Sequence, residues 1–440
     1  LFLCFLLQKR FIHKKGGATQ CIMGLVENNM HTLPTSLQRN IFVYYSVAAI
    51  YMLSISLPHA ILTPLLIQKG LSFADIATIQ IAFSIAVALC EIPSGILSDA
   101  FSRRTVYLWS KFLIITFFLI VYFAHGLQAM TLAWFIYGVS VAFDSGTIGN
   151  EIILRVRDHY DHSGGSSAKM VDTLVRLDTR IATICMIISG FIGSFIYQQI
   201  GFSLYWCSLL GATICIVIIF ICFPAKNIGT IPQGNSASIT KIKHVFTEGL
   251  RELIDNKNVR IYFCVLATTQ IFFQSHFQFW QSFFLEIGMQ QHSLGLLYVL
   301  FQSVSLVVSF VSMRGILARY KLASILPYVL CATLFCIILL LTSVNIYIKI
   351  FAYSIFVAIF WIISNDINAQ LRQNLTEKAL STLTSLASMM TRIASIIVLS
   401  ILSVLLHLLP VHVVIPLMFA IAMITTLASY LYASHKNANC

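Results

Sequence analysis

The feature that most constrains this chain is a series of apolar runs of about 20 residues, repeated from end to end with short polar connectors between them. As a helix, a run of that length covers about 30 Å, the hydrocarbon thickness of a bilayer, whereas a helix packed on a soluble core is apolar on one side only. Composition agrees. Of 440 residues 58% are hydrophobic and 10% charged, too few polar side chains to coat a folded core in water. A soluble enzyme and a disordered protein are both excluded. The formal charge of +12 is one that nucleic-acid binders carry. Here, however, the basic residues sit between greasy segments rather than on one wetted face with stacking aromatics, so no nucleic-acid partner is expected.

The pattern predicts an all-α integral membrane protein with twelve transmembrane helices. They are expected near 41–63, 75–97, 105–125, 128–150, 176–198, 202–223, 260–284, 294–314, 323–344, 350–371, 381–406 and 411–433. An even number of spans puts both termini on one side. With these spans, 26 of the 28 Lys and Arg fall on that side and only Lys69 and Lys349 on the other. Such an asymmetry predicts a multi-pass protein of the cell membrane with both termini in the cytoplasm. In this count Lys111 belongs to the connector before span 3. The cysteines show no paired spacing and read as small buried hydrophobes. Leu1 to Leu7 are apolar but too few to span, and the basic stretch follows them, the wrong order for a signal peptide. Met23 or Met30 is the expected true beginning.

Internal repetition divides the chain. Gly95-Ile96-Leu97-Ser98-Asp99 after span 2 is echoed by Gly315-Ile316-Leu317-Ala318-Arg319 after span 8. NEIILR at Asn150 to Arg155 is echoed by NAQLR at Asn368 to Arg372, and TRIATI from Thr179 by TRIASI from Thr391. Each match is weak alone, but their common order indicates two parallel six-helix bundles. The expected domains are an N-terminal arm over 1–40, bundles over 41–223 and 260–433, a linker over 224–259 and a tail over 434–440. The linker opens with the Pro, Gly, Asn and Ser of 224–238. Ile239, Ile242, Phe246, Leu250 and Leu253 then recur at helical spacing, which predicts a helix along the membrane surface.

The segment from Gly95 to Arg104, GILSDAFSRR, resembles the signature G-x-L-[AS]-D-x-x-[GS]-R-[RK] of the major facilitator superfamily, and every defined position matches. Glu91-Ile92-Pro93-Ser94-Gly95 resembles the E-I-P-[TS]-G entry of many bacterial members, and Asp144-Ser145-Gly146-Thr147 a fourth-helix segment of the same subgroup. The resemblance implies the family's fold of twelve helices in two bundles. It also implies that Gly95, Asp99, Arg103 and Arg104 form a gate at the cytoplasmic mouth, with Asp99 facing the start of span 11. A carboxylate there would meet unpaired N–H groups near Leu380 to Thr384, an attraction of about 0.3–2 kcal/mol, weak enough to break in every cycle. The second copy carries Arg319 where the acidic residue belongs, so its gate cannot use the same charge arrangement.

Ionisable groups at membrane depth cost roughly 2.5–3.5 kcal/mol each and are functional suspects. Glu91 lies about 12 Å further into the membrane than Asp99 on the same helix and is the leading proton-coupling candidate. A permanent inter-helix bond is its equal rival. Asp144, Asp366 and His59 are further coupling candidates, with structural hydrogen bonding the more ordinary role for each. Arg155, Arg176, Asp178, Arg180 and Arg392 are expected in cytoplasmic inter-helix pairs, and Glu286 is expected to be solvated at the outer end of span 7. In span 7, Gln270, Gln274, Gln278 and Gln281 recur as one helical stripe with His276 and Trp280 beside it. An amide stripe cannot face lipid economically, so it is expected to wall a substrate cavity, with a hydrogen-bonded seam between helices as the rival reading. Pro58-His59 and Pro64 predict a bend in span 1. Asp158-His159-Tyr160-Asp161-His162, followed by a Gly/Ser stretch, reads as a solvated connector rather than a metal site.

No Walker A sequence, nucleophile elbow or H-E-x-x-H pair occurs, so an ATP-driven pump and a common hydrolase are not expected, and neither a metal nor another cofactor is. The expected function is secondary active transport by alternating access: proton-coupled export of a small organic drug or metabolite by a monomer, with protons or another cation as coupling partner. Proton-coupled uptake of a sugar or peptide, and a membrane scaffold or sensor that no longer transports, stay open.

Overall fold

The structure, a computed structural model, describes residues 33–162, 167–223, 257–313, 322–373 and 377–437. The expected amphipathic linker helix, the second copy of the Gly95 motif and the proposed start at Met23 or Met30 lie outside the described residues. Among the described residues every long element is helical. In order these are α1 (Thr35–Ser56), α2 (Leu62–Gln68), α3 (Phe73–Ala100), α4 (Arg103–Phe123), α5 (Leu127–Asp144), α6 (Ile148–His162), α7 (Ala168–Ile200) and α8 (Leu204–Cys222). The second half comprises α9 (Lys257–Glu286), α10 (Leu294–Met313), α11 (Leu322–Leu341), α12 (Ile346–Gln373), α13 (Glu377–Leu408) and α14 (Val411–Asn437). α1 with α2 forms span 1, α5 with α6 forms span 4, and the rest are single spans, giving twelve crossings in two sets of six.

Local chemistry sets the ends. Ser72 opens α3 with a capping box, its hydroxyl accepting from the Asp75 N–H at 3.2 Å while the Asp75 carboxylate accepts from the Ser72 N–H at 2.9 Å. Span 4 is broken where Gly146 adopts φ +79, a left-handed conformation that glycine enters without penalty. Span 1 is interrupted by a 3-10 turn over His59–Ile61, just after Pro58. The segment Asp158 to His162, expected as a solvated connector, is instead the last turn of α6, and α7 begins at Ala168, eight residues before the expected start. The polar turns of span 4 and span 5 are therefore helix that runs on past the apolar stretch.

Nine stretches among the described residues are long and apolar enough to cross a membrane, and α9 is not among them, its amides holding its hydropathy down. Large apolar side chains point outward along the bundle, including Phe112 at 64%, Phe195 at 62% and Leu210 at 61% exposure, a surface that only lipid tolerates. Where helices meet, small residues let backbones touch. A Cβ on Gly193 would collide with the Leu57 carbonyl, and one on Gly138 would lie 2.5 Å from the Phe83 carbonyl.

The halves join through α3 against α13 and α7 against α10. By order in each half, α3 corresponds to α10 and α7 to α13, so the two contacts are one contact made twice, as an axis along the membrane normal requires. Thr35, Arg103 and Ala168 begin their helices on one face, called here the Thr35 face; Gln68, Phe73 and Phe123 lie at the opposite face. There Lys69 is buried, its ammonium donating to the Tyr122 carbonyl at 2.7 Å and lying 4.6 Å from the Phe202 ring, and burial pushes its pKa below the usual lysine range.

Gly193→Val would drive a side chain into the span 1 backbone, a clash of about 1–3 kcal/mol. Its melting temperature in detergent is expected to fall by several degrees while Leu210→Ala, on the lipid face, leaves it within a degree or so of wild type.

Candidate transport site and its gates

A cavity of about 260 Å³ lies between the halves, lined from spans 1 to 8. Aromatic walls come from Phe117, Trp134, Tyr137, Phe277, Trp280, Tyr298 and Phe301, and hydrogen-bonding groups from His59, Thr63, Gln80, His276, Gln278, Gln281, Gln302 and Ser305. Among the described residues no Asp, Glu, Lys or Arg lines it. The expected amide stripe of span 7 is split. Gln278 and Gln281 reach the cavity with His276 and Trp280, but Gln270 and Gln274 bond the Ser395 hydroxyl of α13, each at 3.0 Å. As α9 runs toward the Thr35 face it leaves the cavity and packs on α13, and the two amides become a seam between helices.

The cavity wall is stiff because α9 is clamped from behind. His276 Nδ1 lies 3.1 Å from the Tyr353 hydroxyl, and its ring stacks on Phe272 at 5.4 Å. Phe272 in turn stacks on Phe360 at 4.0 Å, and Phe356 on Phe419 at 4.6 Å, all fully buried.

Toward the opposite face the halves are closed on each other. Gln281 of α9 bonds the interrupted part of span 1, its amide N–H donating to the His59 carbonyl at 2.6 Å and its amide oxygen accepting from the Thr63 N–H at 2.8 Å. The Gln291 amide donates to the Tyr197 hydroxyl at 3.1 Å. Gly295 lies directly under Ser194, and Gly190 under Tyr298. Toward the Thr35 face, the Ser388 hydroxyl of α13 donates to the Glu91 carboxylate at 2.9 Å. Arg392 of α13 sits 5.9 Å from the Phe83 ring of α3, in the field of Glu91.

Within the first half lies a feature the sequence reading missed. Lys111, counted there as a connector residue, is completely buried eight residues inside α4, its ammonium 2.8 Å from the Asp144 carboxylate. It lies 3.3 Å from the Tyr51 ring centre and 4.4 Å from that of Tyr107. A second cavity of about 230 Å³ adjoins this pair, lined by Tyr44, Tyr51, Tyr107, Asp144, Thr147, Asn150 and Asp178 among others. Tyr44 of α1 and Asp178 of α7 both line this cavity, on different helices.

Two other arginines expected in pairs bond carboxylates of their own helix, and Arg155 also lies 6.0 Å from the Phe223 ring. Arg155 bonds Glu151 and Arg176 bonds Asp172, both one turn back, where four-residue spacing puts them on one face. Arg180 is exposed. Glu286 is not simply solvated: it accepts from the Val411 N–H at 3.0 Å and the His412 N–H at 2.5 Å, capping the start of α14. The side chains of Asp99 and Asp366 lie outside the described residues.

Residues 44–399 match the Major Facilitator Superfamily. The chain belongs to that family. Solved structures of the same shape include the nucleoside transporter NupG, at 14% identity over 90% of this chain and 98% of that one with a TM-score of 0.65. The POT family transporter PepTSo follows at 11% identity, 91% and 99% coverage and a TM-score of 0.63. A bacterial homologue of the iron transporter ferroportin, in an inward-facing state, gives 14%, 90% and 97%, and 0.66. Identities this low show the fold alone. No curated protein matches the chain. As a member of the Major Facilitator Superfamily the protein is a multi-pass transporter of the alternating-access type, not an enzyme.

In this superfamily member the signature residues have visible structural work. Ser102 is the N-cap of α4, accepting from the Thr105 N–H at 3.1 Å, which explains the [GS] position. Arg104 donates to the Phe220 carbonyl at 2.6 Å and lies 5.0 Å from the Phe220 ring, so it neutralises the carbonyl end of α8 within its own half. Among the described residues nothing lies within 4 Å of where a Cβ on Gly95 would stand.

Lys111→Met would leave Asp144, whose side chain is 33% exposed, without its cation; it is expected to cost about 1–3 kcal/mol, read as a lower melting temperature in detergent, and Lys111→Met with Asp144→Asn should recover most of the loss.

Proposed function

We propose that this transporter carries a small uncharged organic solute that combines a flat ring with hydrogen-bonding groups, and that proton movement through Glu91 drives it. The observation that carries this reading is the lining of the central cavity, where, among the described residues, aromatic faces and four glutamine amides meet without a charged side chain. Aromatic walls stack on a ring, and amides pair with its donors and acceptors. A zwitterionic peptide or a metal ion would enter such a site without a countercharge, at the desolvation cost of a bare ion. A nucleoside has the favoured chemistry, and one of the similar structures is a nucleoside transporter. At about 260 Å³ the cavity is below the roughly 300–1,000 Å³ of drug-sized pockets, which favours a metabolite over the bulky compounds of multidrug efflux.

Glu91 suits coupling because its carboxylate bridges the halves through Ser388 with Arg392 nearby. Protonation changes the carboxylate from pure acceptor to donor and removes its attraction to Arg392, so its charge state is tied to that contact. The Thr35 face is the cytoplasmic one in this reading, as the connector charges favour. One chain supplies the cavity and both sets of contacts, which suits a working monomer.

In proteoliposomes with an imposed pH gradient, labelled uridine is expected to accumulate while labelled dialanine and tetraphenylphosphonium do not. Glu91→Gln should lose gradient-driven accumulation yet keep downhill exchange. Accumulation of the peptide or the cation, with no nucleoside movement, contradicts the solute class; full coupling in Glu91→Gln removes Glu91 from its role.

A further inference from the structure

In an intact α-helix the His59 carbonyl would accept from the Thr63 N–H, four residues on. Here the 3-10 turn over His59–Ile61 has opened that bond. Ile61 leaves helical geometry at φ −133 and ψ 20, while its N–H turns back to the Pro58 carbonyl at 3.0 Å. Both freed groups are taken by one side chain from the other half of the protein. The Gln281 amide stands between them, donating to His59 O and accepting from Thr63 N–H, and replaces one rung of the helical ladder with two hydrogen bonds. Gln281 and Thr63 are 4% and 3% exposed, at the edge of the central cavity.

We propose that Gln281 is the latch of the gate on the face opposite Thr35, and that this gate closes by inserting an amide into span 1 and opens by withdrawing it. The two halves must separate there for the cavity to reach that side. When they do, Gln281 leaves with α9, and the His59 carbonyl and Thr63 N–H either restore their own bond, which straightens span 1, or meet the water that enters. A buried unpaired carbonyl or N–H is disfavoured in lipid surroundings, so a half-withdrawn amide has no stable place. The gate is therefore two-state, and the kink in span 1 reports which state is occupied. The other contacts of this face among the described residues are packing, as of Gly295 under Ser194 and Gly190 under Tyr298, and side-chain hydrogen bonds, of Gln291 on Tyr197 and of Ser403 on Thr78 and the Ala74 carbonyl, and none of these repairs a backbone break. This proposal is independent of the solute class and of Glu91.

Spin labels at Gln199 and Gln290, exposed residues of the two halves on this face, would read the gate by electron–electron distance measurements on the full chain in lipid nanodiscs with its native cysteines replaced. A second pair at Gln128 and Gln199 lies within the first half and serves as the control. Gln281→Met keeps the length and removes both hydrogen bonds. It is expected to raise the ratio of long to short distances for the first pair at least tenfold and to leave the second pair unchanged. Gln281→Glu keeps an acceptor for Thr63 but has no N–H for His59 when ionised, and should give an intermediate ratio. A wild-type distribution in Gln281→Met overturns the proposal. So does equal broadening of the control pair, which would mean that the amide only holds the bundle together.

Discussion

In hydrocarbon a backbone N–H or carbonyl without a partner costs several kcal/mol, and this one constraint orders the whole molecule. It makes every crossing helical and leaves the apolar side chains to face lipid. It also makes any interruption of a helix conspicuous, because the freed groups must be satisfied by something. Among the described residues two spans are interrupted, the first at His59–Ile61 and the fourth at Ser145–Thr147, and each interruption borders a cavity. At the first, an amide from the other half supplies the missing partners. At the second the repair is local: the Thr147 hydroxyl donates to the Asp144 carbonyl at 2.6 Å, and the Glu151 N–H reaches the Thr147 carbonyl at 3.0 Å. One break depends on the arrangement of the halves and the other does not, which divides moving parts from fixed ones.

The same division holds for charge. Lys111 and Asp144 pair inside one half, where rocking of the halves does not pull them apart. Contacts between halves are of a softer kind: a hydroxyl on Glu91, Arg392 beside Phe83, an amide on span 1, and Thr78 within 3.4 Å of Ser403. Net contributions of about 0.5–1.5 kcal/mol per neutral hydrogen bond, somewhat more where a charge takes part, allow such a set to be exchanged for another on each cycle. A buried ion pair across the same boundary would resist that exchange.

Much of the fold was legible in the sequence because the bilayer reads length and polarity along the chain, which is how a sequence is written. The twelve spans, the two halves and the bend at Pro58 follow from run length, repeat order and proline chemistry. Partnership was less legible. Lys111 lies so near the Ser102 cap that a linear count assigned it to a connector, and nothing local announces Asp144 as its partner from the next span. The glutamines of span 7 have the right period for one face, yet the period does not say that α13 covers half of that face and the cavity the other half. Two arginine pairs were legible and were passed over: Glu151 with Arg155 and Asp172 with Arg176 stand four residues apart, the spacing of neighbours on one helix.

The central claim is that solute crosses only when the halves separate on each face in turn. Thr78→Cys with Ser403→Cys would place two thiols across the α3–α13 contact on the face opposite Thr35, where the native hydroxyls stand 3.4 Å apart. Transport by the otherwise cysteine-free protein, measured before oxidation, after disulfide formation and after reduction, tests it most directly. The account predicts that flux stops with the disulfide and returns with reduction. Undiminished flux through the cross-linked protein would contradict it.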